Sequence, residues 1–146
     1  MSLQDYLSEI RKKALEEKDV LDVLSQKDFG PIEIRAAKSS LQVLIEALIG
    51  KSKRILKHYN CPIIPQRSKD AIYILYEVGM ILDEEYSEFS AAIGFGNIMI
   101  HDCLDFDEKI VEEMVKKRRY EKLIGFLIQN VDLNDVLRRR IENFTL

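Results

Sequence analysis

The sequence predicts an all-α protein, an up-and-down bundle of four to six helices forming one domain over residues 1–146. Three observations carry that expectation. Apolar residues recur in three- and four-residue steps over long stretches, the spacing that lines one face of a helix. The only prolines, Pro31, Pro62 and Pro65, all precede residue 66, so most of the chain lacks the residue that ends helices. The one strand candidate is "CPII" at 61–64, which is short and bounded by proline.

Each element follows from its punctuation. A first helix covers residues 3 to 25, with Leu3, Leu7, Ile10, Ala14, Leu21 and Leu24 on its apolar side, and "DFGP" at 28–31 breaks it. The second is the clearest: Ile34, Ala37, Leu41, Leu44, Ile45, Leu48, Ser52 and Ile55 keep helical register until "NCPIIPQ". A third runs from Ser68, a candidate N-cap, to Val78, with Gly79 as its stop. "LDEEYSEF" opens a fourth with acidic residues where the helix dipole favours them. Its expected stripe is Phe89, Ile93, Ile100 and Leu104, followed by Asp105 and Glu108 as a capping-box pair. In the last third, Ile110, Val111, Met114 and Val115 are out of phase with Tyr120, Leu123, Ile124, Leu127 and Ile128, so "KKRRY" between them is a turn or kink. Residues 131–146 add a short tail helix or trail off.

Composition narrows the function. Hydrophobic residues make up 47% of the chain, enough to fill one core, and the net charge of −3 announces no global affinity for nucleic acid. No apolar run approaches the roughly 20 residues of a membrane span. The charged N-terminal stretch does not resemble a signal peptide. Two cysteines, Cys61 and Cys103, suggest thiols in a reducing compartment and hence a cytoplasmic location. The scattered histidines and cysteines give no metal-ligand spacing, and no phosphate-loop glycine pattern occurs.

One stretch carries candidate chemistry: "GFGNIMIHDC", residues 94–103. Asn97 and His101 stand four apart and share a helix face, with Gly94 close to that face. A histidine flanked by an amide and by the carboxylate of Asp102 suits proton transfer near neutral pH. A hydrogen-bonded, inert histidine at a helix contact fits the same residues. Gly94 and Gly96 equally suit a close helix crossing. His58 ends the second helix, where the dipole favours a cation, and takes no catalytic role. The basic runs 116–119 and 138–140 suit either RNA phosphates in a dimer groove or a solvated turn and tail helix. Tyr73, Tyr86 and Tyr76 read as core or interface side chains.

"GFGNIMIHDCLDFD", together with "IEIRAAKSSLQVLIEALIGKSKRIL" and "PQRSKDAIYILYEVGMI" before it, resembles the HepT-type toxins of the HEPN superfamily over nearly the whole chain. The matching residues are Arg35, Leu41 and Gln42 in the second helix, then Ala71, Leu75 and Gly79 in the third. Gly94, Phe95, Asn97, His101, Asp102 and Asp107 follow in the motif itself. The resemblance implies a HEPN-type bundle and a homodimeric, metal-independent endoribonuclease without cofactor. It implies a toxin paired with a minimal nucleotidyltransferase (MNT-type) antitoxin, acting on RNA away from any membrane. The family signature is Arg, four residues, His, one residue, Tyr. The arginine is expected to hold phosphate, the histidine to take part in cleavage, and the tyrosine to receive AMP from the antitoxin. Here the histidine is His101, the arginine position is Gly96 and the tyrosine position is Cys103. Arg35 and Asp102 are the further candidates for substrate contacts.

Two of three signature residues are therefore absent, and glycine brings neither the charge nor the bidentate donors of a guanidinium. Three accounts of Gly96 stay open: decay to a regulatory or structural protein, a detoxified variant, and compensation by Arg35 or a basic residue of a partner subunit. Positions 96 and 101 are about 140° apart on an ideal helix, so an arginine there would not sit directly beside the histidine. The expected function is a ribonuclease toxin weakened or inactivated at Gly96. The alternatives are a non-catalytic HEPN dimerisation module that binds a nucleotidyltransferase, and a plain helical structural protein.

Overall fold

The computed structural model describes residues 1–101, 104 and 106–146. Among them it is all-helical: α1 (Leu3–Leu24), α2 (Pro31–His58), α3 (Asp70–Glu77), α4 (Asp83–His101), α5 (Glu108–Lys116), α6 (Glu121–Ile128) and α7 (Asp135–Glu142). The all-α expectation holds, with the tail contributing α7. Asp102, Cys103 and Asp105 lie outside the described residues, and with them the proposed Asp105–Glu108 capping pair.

The helix ends follow from local chemistry. Ser2 caps α1 by accepting from the Asp5 N–H. Pro31 occupies the first turn of α2, where its missing N–H costs nothing, and Glu33 Oε1 reaches back to the Gly30 N–H at 2.9 Å. Asn60 ends α2 in the left-handed conformation (φ 59°), and the Cys61 N–H returns to the Leu56 carbonyl. Ser68 does not cap α3. Asp70, in its first turn, instead accepts from the N–H groups of Gln66 and Arg67 at 3.1 and 2.8 Å. Gly79 stops α3 as expected, at φ 89°. Asp107 caps α5 by accepting from the Lys109 N–H.

The turn predicted at "KKRRY" exists and hinges on Arg118, a non-glycine residue at φ 53°. Its side chain explains the choice. Asp22 of α1 accepts from Arg118 at 2.8 Å, from Tyr120 Oη at 2.7 Å and from Lys18 Nζ at 2.6 Å. Glycine would relax the backbone and lose this tie between α1 and the α5–α6 turn.

α2 is the central mast, packing against α1, α3, α4, α5 and α6. Its predicted stripe from Ala37 to Ile55 is buried. Phe89 of α4 meets Phe126 of α6, with ring centroids 5.2 Å apart, in the same core. Lys51 is also inside, at 1% exposure, with Nζ donating to the carbonyls of Phe126 and Gln129 at 2.5 and 2.6 Å. It satisfies the open C-terminal end of α6, where the dipole favours a cation.

The expected α4 stripe holds only in its first half. Phe89 and Ile93 are buried, but Ile100 is 51% and Leu104 is 96% exposed. Burial continues instead through Gly96 and Met99. The physical reason is the glycine: it lets the α4 backbone lie against Ile45 of α2, and the buried face turns with that contact. Ile98, Ile100 and Leu104 are left outside.

Candidate functional site

The second half of α4 carries the candidate residues, and its two faces differ. Asn97 and His101 are both exposed, one turn apart, so the shared face expected from their spacing opens to solvent. Gly96 points the other way. A Cβ built there would stand 3.1 Å from Ile45 Cδ1, 3.2 Å from Ile45 Cγ2 and 3.8 Å from Gln42 Oε1. Gln42 Oε1 is buried without a hydrogen-bond partner among the described residues, while its amide nitrogen donates to Glu46 at 3.0 Å. Position 96 is thus a tight slot against α2, beside an acceptor that lacks a donor.

Arg35 is exposed near the start of α2, and among the described residues no hydrogen bond or ion pair joins it to His101. Its neighbour one turn on, Lys38, pairs with Glu108 at 3.0 Å and lies over the Phe106 ring. Phe106 in turn meets Phe95 edge-on at 5.4 Å, which fastens the end of α4 to the start of α5. Asp102 and Cys103 lie outside the described residues.

The basic runs are largely occupied within the chain. Lys116 donates to the Lys27 carbonyl and lies over Phe29, and Lys117 pairs with Glu113 at 2.7 Å. Arg118 holds Asp22, and Arg119 lies 3.8 Å from Glu113. In the second run, Arg138 lies over Tyr59 and 3.8 Å from Asp132, while Arg140 donates to the Val78 carbonyl at 3.2 Å. These cations hold helix ends and turns together, so the solvated-turn account fits them better than a phosphate groove. His58 is exposed at the end of α2 and stacks edge-on against Tyr59.

Sequence reasoning missed a cleft beside Asn97. It is lined by Arg67, Ser68, Lys69, Asp70, Tyr73 and Tyr86 with Asn97 itself, and encloses about 470 Å³. The segment before α3 and the middle of α4 are brought together there across almost 30 residues, a proximity no local pattern reports. Among the described residues, no three of His, Cys, Asp and Glu converge as metal ligands, and no helix is long and apolar enough to cross a membrane.

The described residues thus form an all-helical bundle in which a histidine and an amide share one exposed helix face. The sequence model of the family described as Ribonuclease HepT-like matches residues 3–129. The chain belongs to the HepT-like family, and that membership supports a ribonuclease-type role. No curated protein and no solved structure matches it.

Proposed function

We propose that this chain is a HEPN-type, metal-independent endoribonuclease toxin whose catalysis is weakened by glycine at position 96, and that a minimal nucleotidyltransferase is its antitoxin. The observation that carries the reading is the exposed pair of Asn97 and His101, one turn apart on α4, in a chain of the HepT-like family. His101 is the proton-transfer group, and Asn97 orients the substrate or the imidazole. A developing phosphate charge needs a preorganised donor, and loss of one such donor typically costs about 100- to 1,000-fold in rate. Wild-type cleavage of RNA is therefore feeble.

The test is to restore the charge. Gly96→Arg, whose long side chain must reach from the α2 side of α4 round to His101, raises metal-free RNA cleavage and makes expression toxic to the host, and His101→Ala in that background abolishes both. A folded Gly96→Arg protein that leaves RNA intact would overturn the enzymatic reading. Control of the toxin follows from position 103. A cysteine thiol is not an equivalent AMP acceptor, so a cognate nucleotidyltransferase with ATP leaves Cys103 unmodified and restrains the chain by binding. Peptide mapping that finds AMP on Cys103 refutes this.

A second reading is favoured by Ile98, Ile100 and Leu104, apolar side chains left exposed on and just beyond the end of α4. On that reading the chain is a homodimerisation module that binds a nucleotidyltransferase without catalysis. It predicts dimerisation and partner binding unchanged by His101→Ala, with no cleavage in any variant.

A further inference from the structure

We propose that the cleft between the start of α3 and α4 binds single-stranded RNA, with Lys69 and Arg67 on its phosphates and Tyr73 under a base. The proposal rests on the ribonuclease reading and adds to it a place that grips the strand away from the scissile phosphate. Lys69 is the first observation. Its Nζ stands 3.4 Å from where a Cβ on Gly94 would be, so the ammonium lies against α4. Lys69 is exposed, and among the described residues no carboxylate pairs with it.

The Arg67 side chain is 88% exposed, with Nε 3.4 Å from Asp70. Its terminal nitrogens remain available for a phosphate oxygen. The Asp70 carboxylate is turned to the Gln66 and Arg67 N–H groups, from which it accepts at 3.1 and 2.8 Å. Ser68 and Asn97 add neutral hydrogen-bonding groups to the same wall.

The aromatic side is built to stay put. Tyr73 is 39% exposed and leans on Tyr86, ring centroids 6.3 Å apart. Tyr86 is stacked on Tyr76 at 4.5 Å, and Tyr76 donates to Asp83 at 2.6 Å. A tyrosine braced from behind, its hydroxyl beside Glu77 and its ring in a cleft wall shared with Arg67 and Lys69, can receive a stacked base and its phosphate.

Direction follows from charge. The hollow on the far side, lined by Tyr76, Glu77, Asp83 and Glu84, is acidic and repels a phosphate chain. The open course lies along α4 through Asn97 to His101. Gly94 and His101 are seven residues apart, two turns, so they share a face about 10 Å apart along the axis. A strand held at Lys69 thus passes over His101.

The test uses the full chain and a short fluorescein-labelled single-stranded RNA of mixed sequence, with binding read by polarisation at several salt concentrations. Lys69→Gln weakens binding about tenfold at low salt, as expected for a charge-assisted contact, and makes the salt slope shallower by about 0.7. Tyr73→Leu weakens it about fivefold or more and leaves the salt slope alone. Lys53→Gln, an exposed lysine on the far part of α2, changes neither. Circular dichroism verifies that each variant is folded. RNA binding unchanged by Lys69→Gln and Tyr73→Leu overturns the cleft and leaves the ribonuclease reading standing. So does cleavage by Gly96→Arg in a protein whose wild type shows no RNA binding. No binding by wild type together with no cleavage by Gly96→Arg overturns both.

Discussion

Gln42 presents a buried, unpartnered oxygen 3.8 Å from the point where a side chain at Gly96 would begin. A buried acceptor without a donor costs about 1–3 kcal/mol, and here the deficit lies beside Gly96. A guanidinium at 96 would bring the missing donor, while its Cβ would press on Ile45.

This pairing predicts non-additive stability. Gly96→Ala gains about 1 kcal/mol of helix propensity and loses a similar amount against Ile45, so its net effect lies within about 1 kcal/mol. Ile45→Val removes the nearer methyl, and Gly96→Ala combined with it is more stable than the two single changes sum to. Gly96→Arg combined with Gln42→Met shows a coupling of about 1 kcal/mol or more, the hydrogen bond lost with Gln42. Urea melts of the double-mutant cycles measure both, and strict additivity would refute the contact.

Lys51 gives a second prediction. Lys51→Met keeps the stem but leaves the carbonyls at the end of α6 without a donor, costing about 1–3 kcal/mol at neutral pH. Burial, helped by the charge of Arg11, lowers the Lys51 ammonium from 10.5 to about 8. Between those values the unfolded chain holds more protons than the folded one, so stability rises with pH across that window. Wild type should therefore gain on Lys51→Met from about pH 8 to 10.5. A pH-independent difference in melts would contradict it.

Arg118 and Tyr120 supply a third. Arg118→Ala loses the tie to Asp22 and keeps an unfavourable left-handed backbone, whereas Arg118→Gly loses only the tie. The glycine variant should be the more stable by about 1 kcal/mol. Burial and the hydrogen bond to Asp22 raise the Tyr120 hydroxyl above its ordinary value of 10. The folded state then holds the proton that the unfolded state loses, so this stabilisation is complete below about pH 10 and fades as pH climbs toward the folded value. Tyr120→Phe should lose that part of the alkaline decline, as thermal melts from about pH 9 upward would record.

The apolar end of α4 predicts a dimer. Light scattering behind a sizing column should give twice the chain mass at micromolar concentration. Ile100→Asp, at a half-exposed position that a folded monomer tolerates, should return it to the monomer. A wild-type monomer would remove the dimer from the proposed function.

Much of this protein could be read along the chain, because the information is local. The steps from Ala37 to Ile55 gave α2 its buried face, Gly79 ended α3, and the phase break before Tyr120 located the turn at Arg118. Helical period, caps and breakers act within a few residues. The direction of Gly96 was decided only by packing, since the buried face of α4 turned with its contact on Ile45 and left Ile100 and Leu104 outside. Packing also decided that the basic runs hold helix ends, because their partners, such as Asp22 for Arg118 and Val78 for Arg140, are far away in sequence. The same holds for Lys69 beside Gly94: the two are 25 residues apart, and only the antiparallel return of the chain places an ammonium on the face that leads to His101.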